Sequence, residues 1–293
     1  MGWTRGDAVF DRAVIIGSGK LACQCAEAAI GAVKELEVIE SECPAVSFLR
    51  GVCTRHGLKY RQITDRSTLS DRFMGTTDST LVISAFNTYI FPRPVVEHEK
   101  LRIVNFHNAL LPRHRGRNAC TWAIFDMDAE TGITWHQVGA GIDDGDIIVQ
   151  RKLDIGPLTT ALELTDRCLE LGAAAFRDIL LPLVRGDCQS RPQSGLTDAG
   201  VVHRGKDVPN DGLLEIRWPI EKISAFLRSL DYGKYKVFDD PRVSVSGVLR
   251  RIAGYRISVS EHCVGSAGER VVLKGNGLAI QENQKTIEVS LHA

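Results

Sequence analysis

The chain has 293 residues, of which 44% are hydrophobic and 25% charged, the proportions of an ordinary globular protein long enough to bury a sizeable core. Lys+Arg and Asp+Glu both total 36, so no global field draws it toward nucleic acid or a membrane surface. No stretch approaches the ~20 apolar residues of a membrane span, and the first residues lack the basic start and unbroken apolar run of a signal peptide. A cytoplasmic location is the expectation. The eight cysteines are scattered without a Cys-x-x-Cys pair and read as reduced, mostly buried thiols.

Residues 13–19, AVIIGSG, form a short apolar run ending in glycines, as a buried parallel strand entering a turn would. Residues 21–36 are Ala-rich with apolar positions spaced for one helix face. EVIES and LKYRQI (58–63) are strand candidates, with a helix between them that begins after Pro44. STLVISAF (79–86) has an almost wholly apolar centre, and LRIVNFH (101–107) follows. ITWHQV (133–138) alternates, and DIIVQRKLDI (146–155) comes next. Helices are predicted over 116–126 and 160–184. Strands alternating with helices imply a Rossmann-like α/β fold with a mostly parallel sheet. Ligands on such sheets sit beyond the carboxyl ends of the strands.

From residue 186 the chain turns polar and turn-rich, which predicts a linker. A helix over 218–231 follows, with Pro219 in its first turn. After Pro241 come the stretches RVSVSGVL, YRISVS, RVVLKG, LAIQEN and TIEVSLHA, separated by Gly or polar turns. The predicted organisation is a catalytic domain over 1–206 and a smaller, β-rich (OB-like) subdomain over 207–293.

The densest polar cluster is NFHNALLPRHRG, residues 105–116. Strand alternation puts Asn105 and His107 on one face. An amide and a protonated imidazole side by side can stabilise a developing oxyanion. Asp143, in IDDGD, could hold the ring and favour its charged form. The same residues could equally be satisfied polar groups at a strand end and a turn. Gly17-Ser18-Gly19-Lys20-Leu21-Ala22 mimics a dinucleotide fingerprint, but a tight strand-to-helix turn or an anion site explains it as well. No His, Cys, Asp and Glu residues fall at metal-ligand spacing, so no metal is expected.

NFHNALLPRHRG followed by DDGDI at 143–147 resembles the paired motifs of the folate-dependent formyltransferases, in the same order and at similar distance. The resemblance is specific over residues 80–185 and weaker on both sides. It implies a catalytic trio of Asn105, His107 and Asp143. In that trio Asn105 and protonated His107 would hold the oxyanion, and Asp143 would orient His107 and take the amine's proton. It implies N10-formyltetrahydrofolate as formyl donor, bound by the loops Phe86, Asn87, Thr88, Tyr89, Ile90 and Gly139, Ala140, Gly141, Ile142. It also gives His136 a supporting place.

The stretch VPNDGLLEIRWP and the helix after it resemble the start of the C-terminal subdomain in longer family members. A tRNA-binding member should carry a basic C-terminal half; residues 207–293 hold 12 Lys/Arg against 11 Asp/Glu. The expected acceptor is therefore a small amine: a metabolite, an amino sugar, or an amino acid either free or bound to a carrier protein. Methionyl-tRNA and a non-catalytic folate- or nucleotide-binding role are the alternatives. A formyltetrahydrofolate hydrolase would carry a domain before the first strand, where only about twelve residues stand.

Overall fold

The computed structural model describes residues 10–193, 200–259, 271–282 and 284–292; the first nine residues, the centre of the expected linker (194–199) and Cys263 lie outside them. The chain forms two compact units. The first comprises Met1–Gly116, Gly132–Leu153 and Arg167–Val202; the second comprises Arg117–Thr131, Asp154–Asp166 and His203–Ala293.

The first unit is organised by a seven-stranded sheet. Its strands are β1 (Arg12–Gly17), β2 (Glu35–Glu40), β3 (Lys59–Gln62), β4 (Thr80–Ala85), β5 (Leu101–His107), β6 (Glu130–Gln137) and β7 (Ile147–Asp154), in the order β3-β2-β1-β4-β5-β6-β7. Along the chain they alternate with α1 (Gly19–Ala29), α2 (Phe48–His56), α3 (Arg66–Met74), α4 (Arg93–Val96) and most of α6 (Ala161–Val184), while α5 (Ala119–Phe125) falls in the second unit. Strands β1 to β5 pair in parallel, giving the Rossmann-like arrangement. Every residue of β4 is buried, which is why TLVIS reads as an apolar run rather than an alternation.

Local chemistry sets the helix ends. The Ser47 hydroxyl accepts from Arg50 N–H at the start of α2, and Gly57 closes it in the left-handed conformation. α1 ends at Ala29, short of the expected residue 36, because Gly31 turns at φ +77° and β2 begins at Glu35. α3 was not foreseen: only Leu69 and Phe73 face the core, too thin a stripe to read, and its clearest signal is Asp65 accepting from Thr68 N–H. Gly17 ends β1 where a Cβ would lie 2.0 Å from the Ala85 carbonyl oxygen, so only glycine fits.

β6 runs antiparallel to β5. The chain leaves β5 and enters β6 from the same edge of the sheet, so residues 108–129 make no crossover. Asp143 therefore does not follow a parallel strand end beside His107; its loop reaches back to the strand face.

In the second unit, β8 (Leu213–Leu214), α7 (Ile220–Ser229), β9 (Arg242–Val245), β10 (Val248–Val259), β11 (Val271–Lys274), β12 (Gly277–Glu282) and β13 (Lys285–Leu291) build a separate six-stranded sheet, ordered β11-β12-β13-β10-β9-β8. RVSVSGVL is a hairpin rather than one strand, since Ser246 and Gly247 both take positive φ. Ile223, Phe226 and Leu227 of α7 pack with Ile252, Ile280, Ile287 and Val289 of the sheet in one core. No described helix is long and apolar enough to cross a membrane.

Candidate active site

Three neighbouring strands of the first unit bring their polar side chains to one face. Ser84 of β4 pairs in register with Asn105 of β5, and Asn105 pairs with His136 of β6. Directly opposite residues point to the same side of a sheet, and alternation adds His107 two residues on. Asn105 Nδ2 lies 3.2 Å from His136 Nε2, and Ser84 Oγ donates to Asn105 Oδ1 at 2.7 Å.

Asp143 arrives from the β6–β7 loop in a left-handed conformation, φ +48°, an uncommon state for a residue with a side chain. The turn is enforced around it. A Cβ on Gly145 would lie 1.9 Å from the Gln137 carbonyl oxygen, so the loop closes only over glycine. The Gln193 amide donates to the carbonyls of Asp143 (2.9 Å) and Gly145 (2.7 Å). Asp143 Oδ2 accepts from Gly116 N–H at 2.8 Å and lies 3.4 Å from His107 Nδ1. Its Oδ1 lies 3.4 Å from His136 Nε2. Asn105, His107 and Asp143 are thus brought together, with His136 joining all but His107 directly.

Burial, the strongest influence on His107, pushes its pKa down, and the Asp143 carboxylate opposes that shift. For Asp143 burial acts upward, but the two histidines and the Gly116 N–H outweigh it and hold the carboxyl far below the usual range. Asp143 is therefore ionised, and His107 gives up its proton readily. Which nitrogen titrates follows from the partners. His107 Nε2 faces the His114 carbonyl at 2.9 Å, an acceptor, so Nε2 keeps a proton. Nδ1, facing Asp143, is the nitrogen that gains or loses one. With both ring nitrogens so engaged, Asn105 is the group with a donor left for an incoming oxygen.

The flanking loops divide by exposure. Phe86 (φ +56°, 40% exposed), Ile90 and Ile142 present apolar side chains outward, and Ala140 and Gly141 are exposed. Thr88 and Gly139 are half-buried. Tyr89 is instead a core ring, stacked on Phe73 and edge-on to Phe91, with its hydroxyl on Ser70. Asn87 uses its amide within the loop, accepting from Tyr89 N–H and donating to Tyr89 O. Near the Gly-Ser-Gly turn, Glu40 accepts from Ser47 and Tyr60, and Glu42 accepts from Ser18. Among the described residues, no group of three or more His, Cys, Asp and Glu side chains is placed to hold a metal ion.

Sequence reading missed Ser84 and Gln193. Ser84 is one hydroxyl inside an apolar strand, a signal visible in hindsight; nothing local links Gln193 to a loop fifty residues earlier.

The Formyl transferase family signature matches residues 52–180. A methionyl-tRNA formyltransferase of Geobacter metallireducens is 29% identical over 68% of this chain and 60% of its own length. The chain thus spans less than two thirds of that relative. A GDP-perosamine N-formyltransferase of Brucella melitensis is 26% identical over 82% of this chain and 96% of its own. An N-formyltransferase of Helicobacter canadensis, solved with folinic acid and dTDP-3-aminofucose, superposes with a TM-score of 0.74 at 16% identity, covering 96% of this chain and 99% of its own. The motif order, the convergence of Asn105, His107 and Asp143, and these matches make the chain similar to the folate-dependent formyltransferases.

Proposed function

We propose that the protein transfers a formyl group from N10-formyltetrahydrofolate to the amine of a nucleotide-linked amino sugar, in the cytoplasm. The observation that carries the reading is the meeting of Asn105, His107 and Asp143 on one sheet face, with Asp143 ionised and His107 Nδ1 turned toward it. The sugar is favoured over tRNA by extent: the GDP-perosamine enzyme aligns over 96% of its length, the methionyl-tRNA enzyme over 60%. The nearly neutral charge of residues 207–293 agrees. The seven described cysteines form no disulfide with one another, which suits a reducing compartment.

In this reading the formyl carbon of the folate donor is attacked by the neutral amine. A proton of Asn105 Nδ2 donates to the formyl oxygen as it gains charge. The pair formed by His107 Nδ1 and Asp143 Oδ2 takes the proton released from the amine. The imidazolium so formed has a donor on each nitrogen, facing His114 O and Asp143, and its charge lies beside the oxyanion. His107 then returns the proton to the departing folate nitrogen, which balances the exchange. Phe86, Ile90 and Ile142 offer apolar surface for the flat pterin, with the backbone of Asn87, Thr88, Tyr89, Gly139, Ala140 and Gly141 for its donors and acceptors. The catalytic portion is taken as 1–206 and residues 207–293 as an added subdomain.

The test is incubation of purified protein with N10-formyltetrahydrofolate and an amine panel, following folate release and a product heavier by CO. The panel holds nucleotide-linked amino sugars, free amino acids, carrier-bound thioester amino acids and methionyl-tRNA. Turnover with a nucleotide sugar is expected. Turnover with methionyl-tRNA alone would replace the acceptor, and none with any amine would reject the enzyme.

A further inference from the structure

The Asn105 amide could present either its oxygen or its NH2 to the reacting atoms, and only the NH2 can donate to an oxyanion. Its orientation is settled by neighbours that lie outside the trio. Tyr89 N–H donates to Asn87 Oδ1 at 3.0 Å, and the Ser41 hydroxyl donates to the same oxygen at 2.8 Å. With Asn87 Oδ1 so fixed, its Nδ2 faces Ser84 Oγ at 3.3 Å and Tyr89 O at 3.2 Å. Ser84 Oγ, accepting from Asn87, turns its own proton to Asn105 Oδ1 at 2.7 Å. That leaves Asn105 Nδ2 as the outward group, 3.2 Å from His136 Nε2. His136 Nε2 also lies 3.4 Å from Asp143 Oδ1, so the orientation of the amide is set from the Ser84 side.

We propose that Ser84 and Asn87 are positioning residues: a one-way hydrogen-bond chain from the Tyr89 N–H through Asn87 and Ser84 to Asn105 Oδ1 holds the Asn105 amide with its NH2 toward the reacting atoms. The chain starts at a backbone N–H, a donor whose role cannot be exchanged. Flipping Asn105 would turn two donors, Asn105 Nδ2 and Asn87 Nδ2, onto Ser84 Oγ and leave the Ser84 proton without an acceptor. Ser84 is 1% exposed, and a hydroxyl stranded at that depth is costly. The same need for engagement accounts for a serine within TLVISA, where packing alone would favour another apolar residue.

The inference rests on the proposed formyl transfer, so its test carries a readout that does not need turnover. In Ser84→Ala we expect kcat to fall by about tenfold, the weight of one lost positioning bond, with KM for donor and amine unchanged. Ser84→Thr, which keeps the hydroxyl, should recover most of the rate. The side-chain amide resonances of Asn105, assigned by their absence in Asn105→Asp, should show slow hydrogen exchange in the wild type and faster exchange in Ser84→Ala. If Ser84→Ala fails to fold, Asn87→Asp serves instead. It keeps the shape and the acceptor for Tyr89 N–H but cannot donate to Ser84, and it should speed exchange at Asn105 in the same way. Unchanged kcat in Ser84→Ala, or unchanged Asn105 exchange in the folded variant, overturns the chain. If the wild type turns over no amine, the formyl-transfer reading fails by itself, and the exchange measurement still decides the chain.

Discussion

Glu37 is buried and Asp143 half-buried in the same unit, and both carboxyls are held below their ordinary pKa by different kinds of partner. Burial alone would raise Glu37, but Arg72, Lys59 and Arg61 outweigh it. Arg61 lies at 2.8 Å, Arg12 at 3.3 Å and Lys59 at 3.9 Å, and Arg72 is in direct contact. Asp143 has two imidazoles at 3.4 Å and one backbone N–H. Guanidinium and ammonium groups keep their charge across the accessible pH range, whereas an imidazole changes its charge near neutrality. Glu37 is therefore a static brace joining β1, β2, β3 and α3, and Asp143 belongs to an assembly that can pass a proton. A depressed pKa marks both; only the identity of the partners separates them.

Substitutions should pull the two apart. Asp143→Asn keeps the shape and removes the charge, and kcat should fall by about 10²–10⁴, the usual contribution of a positioned base. Asn105→Ala should cost about 10²–10³, as loss of one oxyanion donor does. Both variants should also lose some stability, Asp143→Asn with the charge its neighbours stabilise and Asn105→Ala with the acceptor of the Ser84 hydroxyl, but the loss of rate should dominate. Glu37→Gln should do the reverse. It leaves four cations without their counter-charge, at a cost up to about 3 kcal/mol, since those cations are partly exposed. Its kcat per folded molecule should stay within twofold. Steady-state kinetics beside denaturant unfolding reads both, and an active, unstable Asp143→Asn would dissolve the contrast.

The fold and the placing of Asn105 and His107 on one face were largely legible because their signals are local. The apolar runs of β1, β4 and β5 match the observed strands to within two residues, and Asn105 and His107 share a face by alternation alone. What was not legible depends on pairing across the chain. The antiparallel direction of β6, which sets His136 opposite Asn105, follows from how residues 108–129 return, and no short window records that. The engagement of His107 Nε2 by the His114 carbonyl likewise arises from loop geometry. In the proposed reaction it moves the expected imidazolium from a resting state to one formed as the amine's proton arrives. Tyr89 sits in an exposed-looking stretch, yet packing with Phe91 of its own loop and Phe73 of α3 makes it core.

Acid should expose the difference between the two assemblies in stages. His107 has a folded-state pKa below its ordinary 6.5, so the unfolded chain binds that proton more readily. Stability should therefore begin to fall as pH drops below 6.5, and this part of the loss should be complete below the lowered folded value. Glu37 and Asp143 are lowered from 4.5 and 3.8, so their contributions persist until pH falls below those values and then decline. Melting temperature against pH should thus show an early decline that His107→Gln removes and a later one that it leaves. An early decline unchanged in that variant would assign it to other groups.

The smallest expected effect concerns how Asp143 is held. Gln193 gives both amide protons to the carbonyls of the turn, where Asp143 itself sits at positive φ. Gln193→Ala keeps every charge near the site and removes only the clamp. A net value of about 0.5–1.5 kcal/mol per bond predicts a several-fold fall in kcat, with the melting temperature little changed because the turn lies at the surface side of the sheet. Gln193→Glu brings acceptors against the same two carbonyls and should be worse than alanine. If alanine and glutamate behave alike, the loop keeps its shape through Gly145 and the Asp144–Gly141 bond alone, and the proton-passing assembly, like the brace at Glu37, is held by its own contacts rather than by a distant clamp.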